Sequence, residues 1–201
     1  MTEPQQINHP ILILIRGLPG SGKSYFATAL QKSIHELAGE NSVVMLDPDS
    51  TDYESAAYAE HKKLLTTQGV DPAIHAYRFL RSQAHKGISS RQIIIWNQPF
   101  TNLEIFNKMI ANLQTFATDH NTKLSILVVE VEIDHSIAKS RVAKRKQQGG
   151  HGPSDKTFER FIGEYTSFSG EGYDSLVVRG EDYLSVSLSH VMEVLRNLRK
   201  N

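Results

Sequence analysis

The chain has 201 residues, with 22 Lys and Arg against 22 Asp and Glu, nine histidines and no cysteine. A formal net charge of zero leaves no global field to hold a nucleic acid or a membrane by charge alone, and the absence of cysteine excludes a disulfide framework or a thiolate metal centre. The histidines are scattered without His-x-Glu or His-Glu-x-x-His spacing, so no zinc site is expected, and the length suits one α/β domain over residues 1–201.

Met1 to Pro10 is polar and lacks a basic stretch followed by an apolar one, so it reads as a loose leader rather than a signal peptide. No apolar run reaches the length of a membrane span, and a cysteine-free chain of this kind suits the cytoplasm. Ile11 to Ile15 is a continuous apolar run that reads, with Arg16, as a strand buried on both faces. It leads into Gly17-Leu18-Pro19-Gly20-Ser21-Gly22-Lys23-Ser24, which fits G-x-x-x-x-G-K-[ST] at every fixed position. Tyr25 and the residues to about Ala38 then read as a helix, which completes the strand, loop and helix context of a phosphate-binding loop.

The residue types in that loop have physical reasons. Glycines allow backbone N–H groups to approach phosphate oxygens, and the helix N-terminus adds free donors and a positive dipole end. Residues 17–25 are therefore expected to cradle a nucleoside triphosphate. Lys23 would reach its β- and γ-phosphates and the Ser24 hydroxyl would ligate Mg²⁺.

Gly39-Glu40-Asn41 stops the first helix, and Ser42 to Leu46 reads as a second strand ending in the carboxylate-rich loop Asp47-Pro48-Asp49-Ser50-Thr51-Asp52. Residues 53–88 form a helical region, split by Asp71-Pro72 into two helices, in which the acceptor pocket is expected. Arg91 to Trp96 is a third strand, broken by Asn97-Gln98-Pro99-Phe100, with Trp96 and Phe100 read as buried aromatics. Thr101 is expected to cap the next helix, with Glu104 completing a capping box. Leu124 to Ile133 is a fourth strand carrying Glu130 and Glu132, both read as structural. Asp134 caps a basic helix to about Gln148, and Gly149 to Pro153 precedes a helix from Ser154-Asp155 to about Tyr165. Leu176 to Val178 is a fifth strand, and Tyr183 to Leu198 an amphipathic closing helix. Strands alternating with helices imply a parallel sheet covered on both faces, with ligands at the carboxyl ends of its strands.

The strand ends therefore name the candidates. Asp47 or Asp49 could take a proton from an acceptor hydroxyl, and Asp49 is preferred. Arg141 and Arg145 lie one turn apart and run into the glycine-rich segment, which together read as a mobile lid over residues 141–156 that brings arginines onto the phosphates. Arg179, after the fifth strand, is the candidate for contacting the nucleobase. The third strand ends in Asn97 where a carboxylate normally supports Mg²⁺, so Asp47 is the candidate to supply that charge beside Ser24, with Asp49 or the phosphates alone as alternatives.

The P-loop, Leu46-Asp47-Pro48-Asp49, and the two arginines before a Gly-Pro segment together resemble P-loop kinases of the zeta-toxin and polynucleotide-kinase group. The resemblance implies a three-layer α-β-α P-loop NTPase fold with a five-stranded parallel sheet in the order 2-3-1-4-5. It implies Asp49 as catalytic base, Lys23, Arg141 and Arg145 as the electrophilic clamp, and ATP and Mg²⁺ as cofactors. The expected reaction is transfer of the ATP γ-phosphate to a hydroxyl of a small molecule, such as a nucleotide sugar. A 5′-hydroxyl polynucleotide acceptor and an ATP-binding regulatory module with weak catalysis are the alternatives. Two positions depart from the group's pattern: Asp52 stands where polynucleotide kinases usually have an arginine, and Asn97 lies where an acid is usual.

Overall fold

In the computed structural model, which describes residues 9–168 and 172–199 with Glu40 as backbone only, five strands form one parallel sheet in the order β2-β3-β1-β4-β5. The strands are β1 (Ile11–Arg16), β2 (Val43–Leu46), β3 (Ile93–Asn97), β4 (Ser125–Glu132) and β5 (Asp174–Arg179). The helices are α1 (Lys23–Ala38), α2 (Ala56–Thr67), α3 (His75–Ser89), α4 (Leu103–Asp119), α5 (His135–Gln147), α6 (Asp155–Glu164) and α7 (Leu184–Leu198). This is the α/β P-loop NTPase-like fold and the strand order expected from the sequence.

The central strand shows why the sheet is covered on both faces. Ile11, Ile13 and Ile15 pack with Phe26, Leu30 and Ile34 of α1 and Val191 and Leu195 of α7. Leu12 and Leu14, pointing the other way, pack with Leu80 and Ile88 of α3 and Phe106, Ile110 and Leu113 of α4. Five consecutive apolar residues thus feed two separate cores. Trp96 is fully buried in the second of these and Phe100 packs against it, as read from the sequence. Helices α5 and α6 form a hairpin with a small core of their own, Ala138, Val142 and Phe158.

Several boundaries differ from the expectations. Residues 1–8 of the presumed leader lie outside the described residues, but Pro10 is buried, and the Ser125 N–H donates to its carbonyl at 3.2 Å. The tail of the leader is therefore tied to β4. Asn97 is the last residue of β3, in register with Ile15, rather than the start of the break. Strand β5 extends to Asp174 and Arg179 on either side of its apolar centre. The α4 cap is Asn102, whose side-chain carbonyl accepts from the Ile105 N–H at 3.0 Å, and not Thr101. Asparagine is the stronger cap, and Thr101 is turned inward, its hydroxyl donating to Glu164 Oε2 at 3.3 Å. Among the described residues no helix is long and apolar enough to cross a membrane.

Candidate functional site

The loop between β1 and α1 takes its shape from close backbone approaches. Gly20 has φ 87°, and a Cβ there would lie 2.4 Å from the Ala138 carbonyl oxygen of α5. Gly180, at the end of β5, passes so close that a Cβ would lie 2.3 Å from the Ser21 carbonyl oxygen. The loop is thus held between the first turn of α5 and the β5 end. Gly180 directly follows Arg179. Its role is to admit this contact.

Lys23 is folded back on its own loop, Nζ donating to the Leu18 carbonyl at 2.9 Å. Burial pushes its ammonium down to about 8. The carboxylates of Asp47 and Asp49 oppose that shift, and the Arg145 guanidinium adds to it. One lysine therefore senses groups from the β2 loop and from α5, which places the candidate base and a candidate clamp arginine around the same ammonium.

Asp47 is buried and used on both oxygens. Oδ1 accepts from the Asp49 N–H at 2.9 Å, and Oδ2 accepts from Asn97 Nδ2 at 2.6 Å. The same Asn97 amide reaches Ser24 Oγ at 3.0 Å, while Asn97 Oδ1 has no partner. The asparagine that replaces the usual acid thus joins the P-loop serine to a carboxylate supplied by the neighbouring strand. The sequence marked Asn97 as the departure from an acid but not its link to Ser24 and Asp47, because the partners lie 73 and 50 positions away.

These groups line one cavity of about 680 Å³. The P-loop and α1 contribute Pro19, Gly20, Gly22, Lys23, Ser24 and Tyr25, the last 71% exposed. The ends of β2 and β3 contribute Asp47, Asp49, Asn97 and Gln98. The hairpin contributes Arg141, Arg145, His151 and Phe161, with Arg141 Nη1 reaching 3.5 Å from the Gly20 carbonyl. Gly17, Leu18 and Ser21 complete the loop but are not among the residues facing this cavity. Arg179 is placed apart. It lines a second cavity of about 520 Å³ at the ends of β4 and β5, which meets the P-loop at Leu18 and is bordered by Glu132, Asp134, His135 and Tyr165.

A charged network adjoins the second cavity through Tyr165. Arg16, fully buried, donates from Nη1 to Glu130 Oε2 at 3.0 Å and from Nη2 to the Thr166 carbonyl at 2.8 Å. Glu130 also accepts from the Tyr165 hydroxyl at 2.6 Å and from the Phe168 N–H at 2.7 Å. Burial and the bond to this carboxylate hold the Tyr165 phenol far above its ordinary range, so it stays protonated and donating. Glu130 is structural, as read, and its partner is the residue just before Gly17.

A family model described as an AAA domain (AAA_33) matches residues 12–167. No curated protein matches the sequence. Solved structures with the same fold include a candidate kinase from Chloroflexus aurantiacus, 17% identical over 96% of this chain and 99% of that one, with a TM-score of 0.63. Kti12 from Chaetomium thermophilum, solved with ADP-AlF3, is 15% identical over 90% and 97%, with a TM-score of 0.60. A gluconokinase from Sinorhizobium meliloti is 14% identical over 98% and 97%, with a TM-score of 0.56. At such identities the likeness is one of fold.

Proposed function

The chain belongs to the AAA_33 family, and we propose that it is an ATP-dependent phosphotransferase acting on a hydroxyl of a small molecule. The observation that carries this reading is the single cavity lined by Lys23, Ser24, Asp47, Asp49, Arg141 and Arg145. Phosphoryl transfer asks little more of a protein than a phosphate cradle, an oriented acceptor and positive charge on the transferred group.

In this reading Asp49 accepts the proton of the acceptor hydroxyl as that oxygen bonds to the γ-phosphorus and the bond to the ADP oxygen breaks. Lys23 leaves the Leu18 carbonyl for the β- and γ-phosphates, and Arg141 and Arg145 stabilise charge on the equatorial oxygens. The residues also fit a magnesium ion. Ser24 Oγ and Asp47 Oδ2 are drawn together by Asn97, whose unpartnered Oδ1 suits the proton of a metal-bound water. When bound there, the ion would neutralise phosphate charge. Arg179 and its cavity, adjoining the loop at Leu18, are proposed as the nucleobase side. A nucleotide sugar, as in zeta-toxin-like kinases, is one acceptor that suits the reading.

The test is incubation with γ-labelled ATP, Mg²⁺ and a panel of UDP-amino sugars, nucleosides and 5′-hydroxyl oligonucleotides, with Lys23→Ala as control. A labelled product absent from the control is expected. ATP binding without transfer to any acceptor would favour a regulatory module instead, and label on the oligonucleotides a polynucleotide kinase.

The state of Lys23 gives a second expected result. Free, it titrates at about 8, and phosphate charge beside it must raise that value. The complex then holds more protons than the free protein, so affinity falls as pH rises through about 8. Above about pH 8 binding should take up a fraction of a proton per nucleotide. Calorimetry in buffers of different ionisation enthalpy reads this directly, and a binding heat independent of buffer would contradict it.

A further inference from the structure

We infer that the acceptor is uncharged and polyhydroxylated at its reacting end, a sugar or polyol ring or chain, and that Gln98 selects it. This rests on the phosphotransferase reading and adds the substrate's chemistry to it.

The inference comes from how charge is divided across the cavity. Its cationic residues, Lys23, Arg141 and Arg145, all stand at the start of α1 or on α5. The side built by the ends of β2 and β3 carries the carboxylates of Asp47 and Asp49, the amides of Asn97 and Gln98, and the rings of Pro48 and Pro99. Among the described residues no lysine or arginine lines that side. A phosphate or carboxylate brought there would lie beside two carboxylates whose one coupled cation, Lys23, is committed in this reading to the ATP phosphates, which is a strong penalty away from bulk water. Hydroxyl groups meet the opposite situation. Asp49 accepts their protons and the Gln98 amide can accept or donate, as a ring of alternating hydroxyls requires. Pro48, Pro99 and Phe161, across the same cavity, offer apolar surface for the C–H face of a sugar.

Gln98 is the residue best placed to discriminate. Its backbone N–H donates to the Ile15 carbonyl at 3.2 Å, which fixes it beside the root of the P-loop. Its Oε1 is buried with no partner. An unpaired amide of this kind rewards a ligand that supplies the missing hydrogen bond and rejects one that cannot.

The experiment compares three acceptor pools with γ-labelled ATP. The first holds neutral sugars, alditols and UDP-linked sugars, the second sugar phosphates and nucleoside monophosphates, and the third 5′-hydroxyl oligonucleotides. Label entering the first pool with at least 100-fold higher kcat/KM is expected. Preferred label in the second or third pool would overturn the inference and leave the kinase reading standing, whereas ATP binding with no label in any pool would overturn both. For the accepted substrate, Gln98→Leu should raise the acceptor KM by roughly 10–100-fold and leave the ATP KM unchanged. An equal change in both KM values, or in neither, would remove Gln98 from this role.

Discussion

Replacing Asp49 with asparagine should lower phosphate transfer by roughly 10²–10⁴-fold while ATP still binds with near-native affinity. The amide keeps the shape of the side chain and cannot take the acceptor proton. Asp49 is exposed, and its backbone N–H holds Asp47 Oδ1 at 2.9 Å, a bond the substitution leaves in place. The effect should therefore fall on kcat. Asp47→Asn gives the contrasting outcome: its carboxylate is bonded to Asn97, so that variant should raise the Mg²⁺ concentration needed for activity. Initial rates over a magnesium titration separate the two. Transfer by Asp49→Asn at the native rate would remove Asp49 as the base.

The largest expected loss of stability is at Glu130. Its carboxylate accepts from Arg16, Tyr165 and Phe168, and both charged side chains are almost wholly buried. Glu130→Ala strands the Arg16 guanidinium away from water, and breaking a buried pair in this way costs about 3–5 kcal/mol. For a domain of this size that corresponds to a fall in Tm of about 10 °C. Glu130→Gln, which keeps the shape and part of the bonding, should lose less. Replacing Arg16 and Glu130 together with Met should cost less than the sum of the single changes, because no lone charge is then left behind. Thermal melts of the native protein, Glu130→Ala and Glu130→Gln, with Arg16→Met, Glu130→Met and the double variant, check the series, and strictly additive losses in the Met cycle would show that the pair is not coupled.

The parts of the site that sequence reading found were those written in consecutive residues or at strand ends. Gly17 to Ser24 is legible because its spacing is fixed by one loop. Asp47 and Asp49 are legible because an apolar run stops just before them. Contacts made between strands were not readable in the same way. Arg16 and Glu130 each look like the polar end of an apolar strand, and only the β1–β4 register, which places them opposite one another, shows that they form a pair. Asn97 looked like a lost acid for the same reason, since its partners come from two other elements. Local competition explains the misplaced cap: Thr101 fits the capping pattern, but Asn102 one residue later takes the position and frees Thr101 to face Glu164. The polar ends of β5 were hidden because Asp174 and Arg179 are exposed at the sheet's edge, where alternation with water blurs the apolar signal.

The α5–α6 hairpin leaves the sheet just after Glu132 and returns at Tyr165, whose hydroxyl rests on Glu130 of the same strand. Its two roots are therefore neighbours, and everything between them is an excursion from one point of β4. An excursion of that kind can be lengthened, shortened or exchanged as a cassette without changing strand order, provided that the Tyr165 and Phe168 attachments to Glu130 and the close approach of the first turn of α5 to Gly20 are kept. The hairpin is thus the natural place for descendants of this scaffold to diverge. A transplant cut at residues 133 and 165 would carry the arginines of one such chain onto the sheet of another.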